Sequence, residues 1–233
     1  MRLFLFDVDG TLVTARGAGR RAMARAFVEV YGVNGPIDRY DFAGKTDLQI
    51  VADLMGAAGV PHREIAARTT AFFERYVEEL RAEIGVPERV EVMPGVAEVV
   101  VGLAHCPQAL VGLLTGNIEA GARVKLEPTG LWQYFRLGAY GSDDPDRIKL
   151  LEVALRRAAT LVGLAFQPRE VVVIGDTPLD IHCARASGAI AAAVATGQHG
   201  LEQLAACGPD FLFPDLSDVS RVLATLLDGG APR

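Results

Sequence analysis

Short, uninterrupted runs of apolar residues restrict the fold of this sequence more than any other feature. Runs of this kind, four to six residues long and free of charge, are typical of strands that are buried on both faces. The four clear runs are Leu3–Phe6, Ala109–Leu114, Val171–Ile174 and Ile190–Ala195, with a weaker one at Phe211–Phe213. Segments with helical periodicity separate most of them, such as the one that carries Leu150, Leu151, Ala154 and Leu155. Strands that alternate with helices predict an α/β fold with a doubly wound parallel sheet.

Residues 15–89 interrupt that alternation, and we call them the helical block. Their apolar residues recur with helical periodicity over 22–30, 50–55 and 72–80, and no strand-like run lies between. The pattern predicts a helical block throughout, inserted as a separate small domain into an α/β core made of residues 1–14 and 90–233. Gly17, Gly19 and a return segment from Pro87 to Pro94 are the expected joints.

Composition restricts the class of partner. The net charge is −6 and basic residues form no block, which argues against nucleic acid as a partner. The three cysteines have no C-x-x-C spacing and no apolar run is long enough to span a membrane, so we expect a cytoplasmic protein without a membrane partner. The sequence leaves open whether the protein is a monomer or a homodimer.

Polar residues follow three of the predicted strands at the point where each strand ends. Asp7 and Asp9 follow the first, Thr115-Gly116-Asn117 follows the second, and Gly175-Asp176 follows the third. Because ligands bind beyond the carboxyl ends of parallel strands, we expect these groups to meet at one edge of the sheet although they are distant in sequence.

The acidic members of this set predict a metal site. Asp7 and Asp9 lie two apart, and Asp176 would complete an oxygen-rich site of the kind that suits Mg²⁺. Asp180, one helical turn after Asp176, would orient these ligands. The alternatives are a turn with two solvated acids at Asp7-Val-Asp9, and a helix cap at Asp176 or Thr177 with Pro178 in the first turn.

The neutral members suit phosphate. Thr115, Gly116 and Asn117 offer a hydroxyl, a backbone amide and a carboxamide at a strand end that precedes a helix. The same three residues are also common in turns, so the pattern has meaning only together with the acids.

Taken together, these residues resemble the haloacid dehalogenase superfamily. Asp7-Val-Asp9-Gly10-Thr11 is similar to its first motif, Thr115 to its second, and Gly175-Asp176 with Asp180 to its fourth. The helical block lies where that family inserts a helical cap over a Rossmann-like core. Two further phrases resemble the phosphoglycolate phosphatase branch, namely Gly44-Lys45-Thr46-Asp47 and the stretch from Lys125 to Phe135.

The resemblance implies a role for each acid. Asp7 would be the nucleophile that forms an aspartyl-phosphate, and Asp9 would act as general acid and then as general base. Mg²⁺ would be held by the carboxylates of Asp7 and Asp176 and by the backbone carbonyl of Asp9. The substrate would be a small phosphorylated metabolite.

The third motif of the family, a lysine at the start of a helix, departs from its usual form here. Arg147 and Lys149 are both candidates. Arg147 lies four residues before Leu151 on the predicted sheet-facing stripe, whereas Lys149 aligns with a polar face. Helical spacing favours Arg147 and residue type favours Lys149, and the two remain open.

Lys45 is the residue of the helical block best suited to an anionic leaving group. The alternative is that this segment only caps a helix, because Thr46 is followed three residues later by Gln49.

Asp9 favours a phosphatase or a phosphomutase, because a dehalogenase of the superfamily does not need an acid at this position and a phosphonatase lacks one. A phosphomutase of the same superfamily and a non-catalytic phosphate-binding regulatory module are the alternatives, and the substrate itself is left open.

Overall fold

A computed structural model of the chain describes residues 1–85 and 89–228 and contains a six-stranded sheet. The strands of this sheet lie in the order β5-β4-β1-β6-β7-β8, and every neighbouring pair is parallel. A separate antiparallel pair joins β2 to β3. The strands are β1 Arg2–Phe6, β2 Val13–Thr14, β3 Glu91–Val92, β4 Ala109–Leu114, β5 Gly138–Ala139, β6 Val171–Gly175, β7 Ile190–Val194 and β8 Phe211–Phe213.

Helices cover both faces of the sheet, as the predicted α/β class requires. Side chains of β1 alternate between the faces: Leu3 and Leu5 pack with α6 and α7, whereas Phe4 and Phe6 pack with α4 and α9. In the described part of the chain the α-helices are α1 Ala18–Tyr31, α2 Asp47–Ala57, α3 His62–Ile84, α4 Val96–Ala104, α5 Glu119–Leu126, α6 Arg147–Val162, α7 Pro178–Ala186, α8 Leu201–Ala206 and α9 Val219–Asp228.

The five apolar runs of the sequence all correspond to strands of the large sheet. The sixth strand, β5, was missed because it contains only Gly138 and Ala139, which form no apolar run. The pair β2–β3 was missed for the same reason, since each strand has two residues. β2 lies where the chain enters the helical block and β3 lies where it leaves, so their pairing joins the two ends of the block.

The helical block contains α1, α2 and α3 but is not helical throughout, which corrects the sequence prediction. Gly32 ends α1 in a left-handed conformation, and residues 32–46 form a loop whose only regular element is a 3₁₀ turn at Ile37–Arg39. The block is held by an aromatic cluster in which Phe27 of α1 stacks on Phe72 of α3 at 4.3 Å between ring centroids. The predicted joint at Pro87 lies outside the described residues.

None of the helices within residues 1–85 and 89–228 combines the length and apolar character that crossing a membrane requires.

Candidate active site

The predicted strand ends do meet at one edge of the sheet. Since β1 pairs with β4 on one side and β6 on the other, Asp7, Gly116 and Asp176 lie on adjacent strand ends. These residues, together with Asp9 and Asn117, line a cavity of about 400 Å³. The other wall of the cavity comes from the helical block.

Asp7 is buried and faces a guanidinium. Its Oδ1 atom lies 3.3 Å from Nη2 of Arg147. Burial raises the pKa of Asp7 to about 6, and Arg147 opposes that rise. Burial, followed by the negative charge of Asp7, also raises the pKa of Asp176 well above its ordinary value. Keeping both carboxylates ionised beside Arg147 alone is therefore costly.

Small residues pack tightly around Asp176. Gly10 has a φ of +83°, and a Cβ atom there would lie 2.5 Å from Oδ2 of Asp176. A Cβ atom at Gly197 would lie 1.7 Å from the same oxygen. Thr11, which the sequence analysis did not assign to the site, donates from Oγ1 to Oδ1 of Asp176 at 2.9 Å. Oδ1 of Asp176 is thus hydrogen-bonded, and Oδ2 lies against two glycines where a side chain would not fit.

Asp180 lies behind Asp7 and Asp176 and forms part of a helix cap. Thr177 is the N-cap of α7, with Pro178 in the first turn as expected, and accepts from the Asp180 amide. Oδ2 of Asp180 accepts in return from the amide and hydroxyl of Thr177, while Oδ1 accepts from Arg147. Asp180 therefore orients Arg147 and lies outside the cavity lining.

Of the two candidates for the third motif, the structure places Arg147 beside Asp7. Arg147 is the first residue of α6 and is buried on the stripe that faces the sheet. Its Nη1 atom donates to the Gly44 carbonyl at 3.1 Å, and its buried Nε has no partner among the described residues. Lys149 points away: its side chain is 58% exposed, and its nearest carboxylate is Asp144 at 3.7 Å.

Lys125 also reaches the site, and the sequence analysis gave it no role there. Its Nζ atom lies 2.6 Å from Oδ2 of Asp9 and 2.6 Å from Oδ1 of Asn117. Asn117 donates from Nδ2 to Oδ2 of Asp9 and to Oγ1 of Thr115, each at 2.8 Å. The carboxamide of Asn117, expected to bind phosphate, is therefore engaged with Asp9 and Thr115. The buried Thr115 hydroxyl accepts that bond and keeps its own hydrogen to donate.

The segment Gly44–Asp47, which we call the docking segment, joins the helical block to the strand ends. Asp47 donates from its amide to the Gly116 carbonyl at 2.7 Å and accepts at Oδ2 from the Ile118 amide at 2.8 Å. Thr46 caps α2 and also donates to the Pro145 carbonyl at 2.8 Å. The segment therefore does more than cap a helix.

Two charged side chains of the docking segment face different surroundings. Lys45 lines the cavity, and its Nζ atom lies 3.9 Å from the ring centroid of Tyr40 and 3.8 Å from Oδ2 of Asp53. Asp47 is buried, which raises its pKa to about 7 despite the opposing charge of Lys125.

The acidic cluster fits a divalent cation. One carboxylate oxygen from each of Asp7, Asp176 and Asp180 lies within 4.8 Å of the others, and all three residues are buried. An all-oxygen donor set with uncompensated negative charge is the environment that Mg²⁺ prefers. Because Asp180 is engaged with Arg147 and Thr177, the donors that remain for a metal are Asp7 and Asp176.

A parallel sheet with paired acids after its first strand and an acid-lined cavity at the strand ends is the arrangement in which α/β enzymes bind ligands and catalyse reactions. Comparison with known proteins gives the family. Residues 1–188 match the model of the haloacid dehalogenase-like hydrolases. The chain belongs to this family.

Individual relatives agree with that assignment. A phosphoglycolate phosphatase from Synechococcus elongatus is 26% identical over 229 residues, which cover 97% of this chain and 99% of the relative. One from Chromobacterium violaceum is 30% identical over 205 residues, which cover 82% and 84%. The crystal structure of a hydrolase from Pseudomonas syringae superposes with a TM-score of 0.71 at 19% identity, covering 97% of this chain and 99% of that one.

Proposed function

We propose that this chain is a magnesium-dependent phosphohydrolase that cleaves a small phosphomonoester through an aspartyl-phosphate on Asp7. The observation that carries the proposal is the placement of Asp7: a buried carboxylate that faces Arg147 and Asp176 and opens into the same cavity as Asp9. A nucleophilic carboxylate and a second acid two residues later are the two groups that such a reaction needs.

Asp7 and Asp176 would hold the metal, with the backbone carbonyl of Asp9 as the further ligand that the family resemblance implies. When bound, Mg²⁺ would supply the positive charge that an anionic nucleophile needs to approach a phosphate dianion. Arg147 supplies a second, permanent positive charge next to Asp7. The unpartnered Nε of Arg147 and the hydroxyl of Thr115 are donors for phosphate oxygens.

The reaction divides into two transfers. In the first, a carboxylate oxygen of Asp7 bonds to phosphorus, the bond from phosphorus to the leaving oxygen breaks, and Asp9 gives that oxygen its proton. In the second, Asp9 takes a proton from water while the water oxygen attacks phosphorus, which releases phosphate and restores Asp7. The side chain of Asp9 is 47% exposed, so water reaches it, and this favours hydrolysis over a mutase.

The helical block would act as a cap that selects the substrate. It contributes the cations Arg16, Arg20 and Lys45 to the cavity wall, together with apolar side chains such as Met23, Phe42 and Ile50. Phosphoglycolate is the leading candidate, because relatives carry that name and Lys45 could face its carboxylate. The Asp53 carboxylate and Tyr40 ring near Lys45 reduce its preference for anions.

A panel of phosphomonoesters tests the proposal. We expect turnover of an aryl phosphate to require Mg²⁺, to cease with a chelator, and to be suppressed by Ca²⁺, which recruits more oxygen ligands and ties up Asp7. Equal turnover in Ca²⁺ and Mg²⁺ would count against a metal-bound nucleophile.

The same panel tests the substrate. Lys45→Ala should lower kcat/KM for 2-phosphoglycolate more than for a neutral alkyl phosphate. A uniform decrease across the panel would assign Lys45 to folding instead of selection.

A further inference from the structure

Lys125 is a lysine that folding has placed almost entirely inside the protein. It lies in the last turn of α5 and is 4% exposed. The helical block closes over it, because a Cβ atom at Gly19 of α1 would lie 3.7 Å from its Nζ atom. Burying an ammonium group is costly unless it is paired and hydrogen-bonded. The partners of Lys125 therefore indicate why it is buried here.

The partners of Lys125 are two side chains of the active site. Oδ2 of Asp9 and Oδ1 of Asn117 each lie 2.6 Å from its Nζ atom. Oδ2 of Asp9 also accepts from Asn117, so a single carboxylate oxygen receives two donors. This triangle fixes the direction of a side chain that is otherwise half exposed on the loop after β1.

Lys125 also decides how the amide of Asn117 points. An ammonium group only donates, so the Asn117 atom that faces it must be the oxygen. The amide nitrogen is thereby turned toward Asp9 and Thr115, where its two hydrogens are used. Without Lys125 the amide could rotate and present its oxygen to the Asp9 carboxylate, which would repel it.

A purely structural role explains these contacts less well. Asp47 is a buried acid of the helical block, and the positive charge of Lys125 lowers the cost of ionising it. Asp47 does not, however, hydrogen-bond Lys125. The direct bonds of Lys125 go to the proposed general acid and to the residue that holds it, and not to the backbone of α1 or α3.

We propose that Lys125 is a positioning residue for Asp9, a role that rests on the proposed function. It holds the Asp9 carboxylate toward the cavity, directly and through Asn117, so that the group is in place for proton transfer in both halves of the reaction. Positioning of this kind matters because proton transfer needs hydrogen-bond distance in the reacting complex. The hydrogen bonds of Lys125 among the described residues go to Asp9 and Asn117 and not to Asp7, so phosphoryl transfer to Asp7 does not depend on it directly.

The test compares Lys125→Met with Asp9→Asn and the double variant. An alkyl phosphate has a poor leaving group and needs the acid, whereas the first transfer from 4-nitrophenyl phosphate does not. We expect Lys125→Met to lower kcat for the alkyl phosphate roughly 10-fold or more, and the burst of nitrophenol in a single turnover by much less. In the Asp9→Asn background, Lys125→Met should lower kcat roughly 2-fold or less, because the side chain that Lys125 positions has already lost its acid.

The opposite results overturn the proposal. An equal decrease in the alkyl turnover and the aryl burst, or losses that multiply in the double variant, would mean that Lys125 does not act through Asp9. Lys149→Met is the matched control, since it removes an exposed lysine. Thermal unfolding checks that the variants fold. If Lys125→Met does not fold, Lys125→Gln, which keeps a hydrogen-bond donor, takes its place. Failure of both to fold would assign Lys125 to structure alone.

Failure of the proposed function would look different. Asp9→Asn alone would then turn over both substrates at the wild-type rate, whatever Lys125→Met does.

Discussion

The carboxyl edge of the sheet and the helical block carry charge in different ways. At the sheet edge, Asp7, Asp176 and Arg147 are buried, and hydrogen bonds from strand ends and helix caps fix them. In the helical block, the ion pairs between α1 and α3 each have one exposed partner, as in Arg21, whose side chain is 51% exposed, with Glu83 at 2.8 Å. Exposed pairs of this kind contribute little to stability, whereas breaking a buried pair is costly. Substitutions at the sheet edge should therefore have the larger effects.

The two regions meet at the docking segment, where backbone approaches backbone. A Cβ atom at Gly116 would lie 1.9 Å from the Lys45 carbonyl oxygen, and one at Gly44 would lie 2.7 Å from Oγ1 of Thr177. Contacts this close leave no room for a side chain. The geometry of the cavity therefore depends on glycine at this contact as much as on the charged residues.

The largest effect is expected at Arg147. Arg147→Ala leaves Asp180 without its buried partner and Asp7 without its neighbouring charge, so we expect a loss of ~3–5 kcal/mol in unfolding free energy and of ~10²–10³ in kcat. Lys149→Ala, on the exposed face of the same helix, should change neither beyond experimental error. Denaturant unfolding and steady-state kinetics measure both, and a greater loss in Lys149→Ala would reverse the assignment.

A smaller effect is expected where the regions touch. Gly116→Ala forces a methyl group against the Lys45 carbonyl, so we expect a loss of ~1–3 kcal/mol and a raised KM. The control is Gly56→Ala in α2, where a Cβ atom would meet nothing within 4 Å. It should stabilise by ~0.5–1 kcal/mol, because alanine is the better helix former. Unchanged stability in Gly116→Ala would mean that the docking segment separates easily from the strand end.

The smallest effect concerns the pH dependence of stability through Asp47. Burial raises its pKa from 3.8 to about 7, so the folded protein holds a proton that the unfolded chain releases. Its contribution to stability is therefore complete below about pH 4 and is lost as the pH rises through 7. Asp47→Asn carries no such proton and keeps an acceptor for Ile118. Raising the pH from 5 to 8 should therefore lower the unfolding free energy of the wild type relative to that of Asp47→Asn, by on the order of 1 kcal/mol.

Thermal unfolding at both pH values measures this gain. An identical difference between variant and wild type at pH 5 and pH 8 would show that Asp47 titrates normally in the folded protein.

The sheet edge was predictable because its signals are local. An apolar run such as Leu3–Phe6 leaves only a buried strand as its structure, and the parallel sheet then places the residues that follow each strand. The observed β1 begins one residue earlier, at Arg2. The stripe of α6 likewise placed Arg147 toward the sheet and Lys149 toward solvent, because helical periodicity determines direction. Local pattern and topology thus located the strand ends, whereas the choice between Arg147 and Lys149 stayed open until the structure was known.

The contributions of Lys125 and the docking segment were not predictable in the same way. Lys125 follows Thr115 by ten residues, within a helix, and although it opens the stretch that resembles the phosphoglycolate phosphatase branch, neither a strand end nor a sheet-facing stripe marked it as a site residue. A signal did exist, since Lys125 lies beside Leu126 and three residues after Ala122 on the buried side of α5. The bonds of Asp47 to Gly116 and Ile118 depend on how the helical block packs over the sheet edge, which no local pattern encodes.

In the reaction that we propose, Asp7 carries the phosphoryl group and Asp9 moves the protons. Asp9→Asn keeps an acceptor for Lys125 and removes the acid, so turnover should fall ~10²–10⁴-fold. An aryl phosphate needs no protonation, so Asp7 should still be phosphorylated slowly, and the adduct should accumulate because water attack lacks its base. Mass spectrometry of the quenched variant should then find a phosphoryl group on the peptide that contains Asp7, and none in Asp7→Asn. Wild-type turnover by Asp9→Asn, or an adduct on another peptide, would contradict the account.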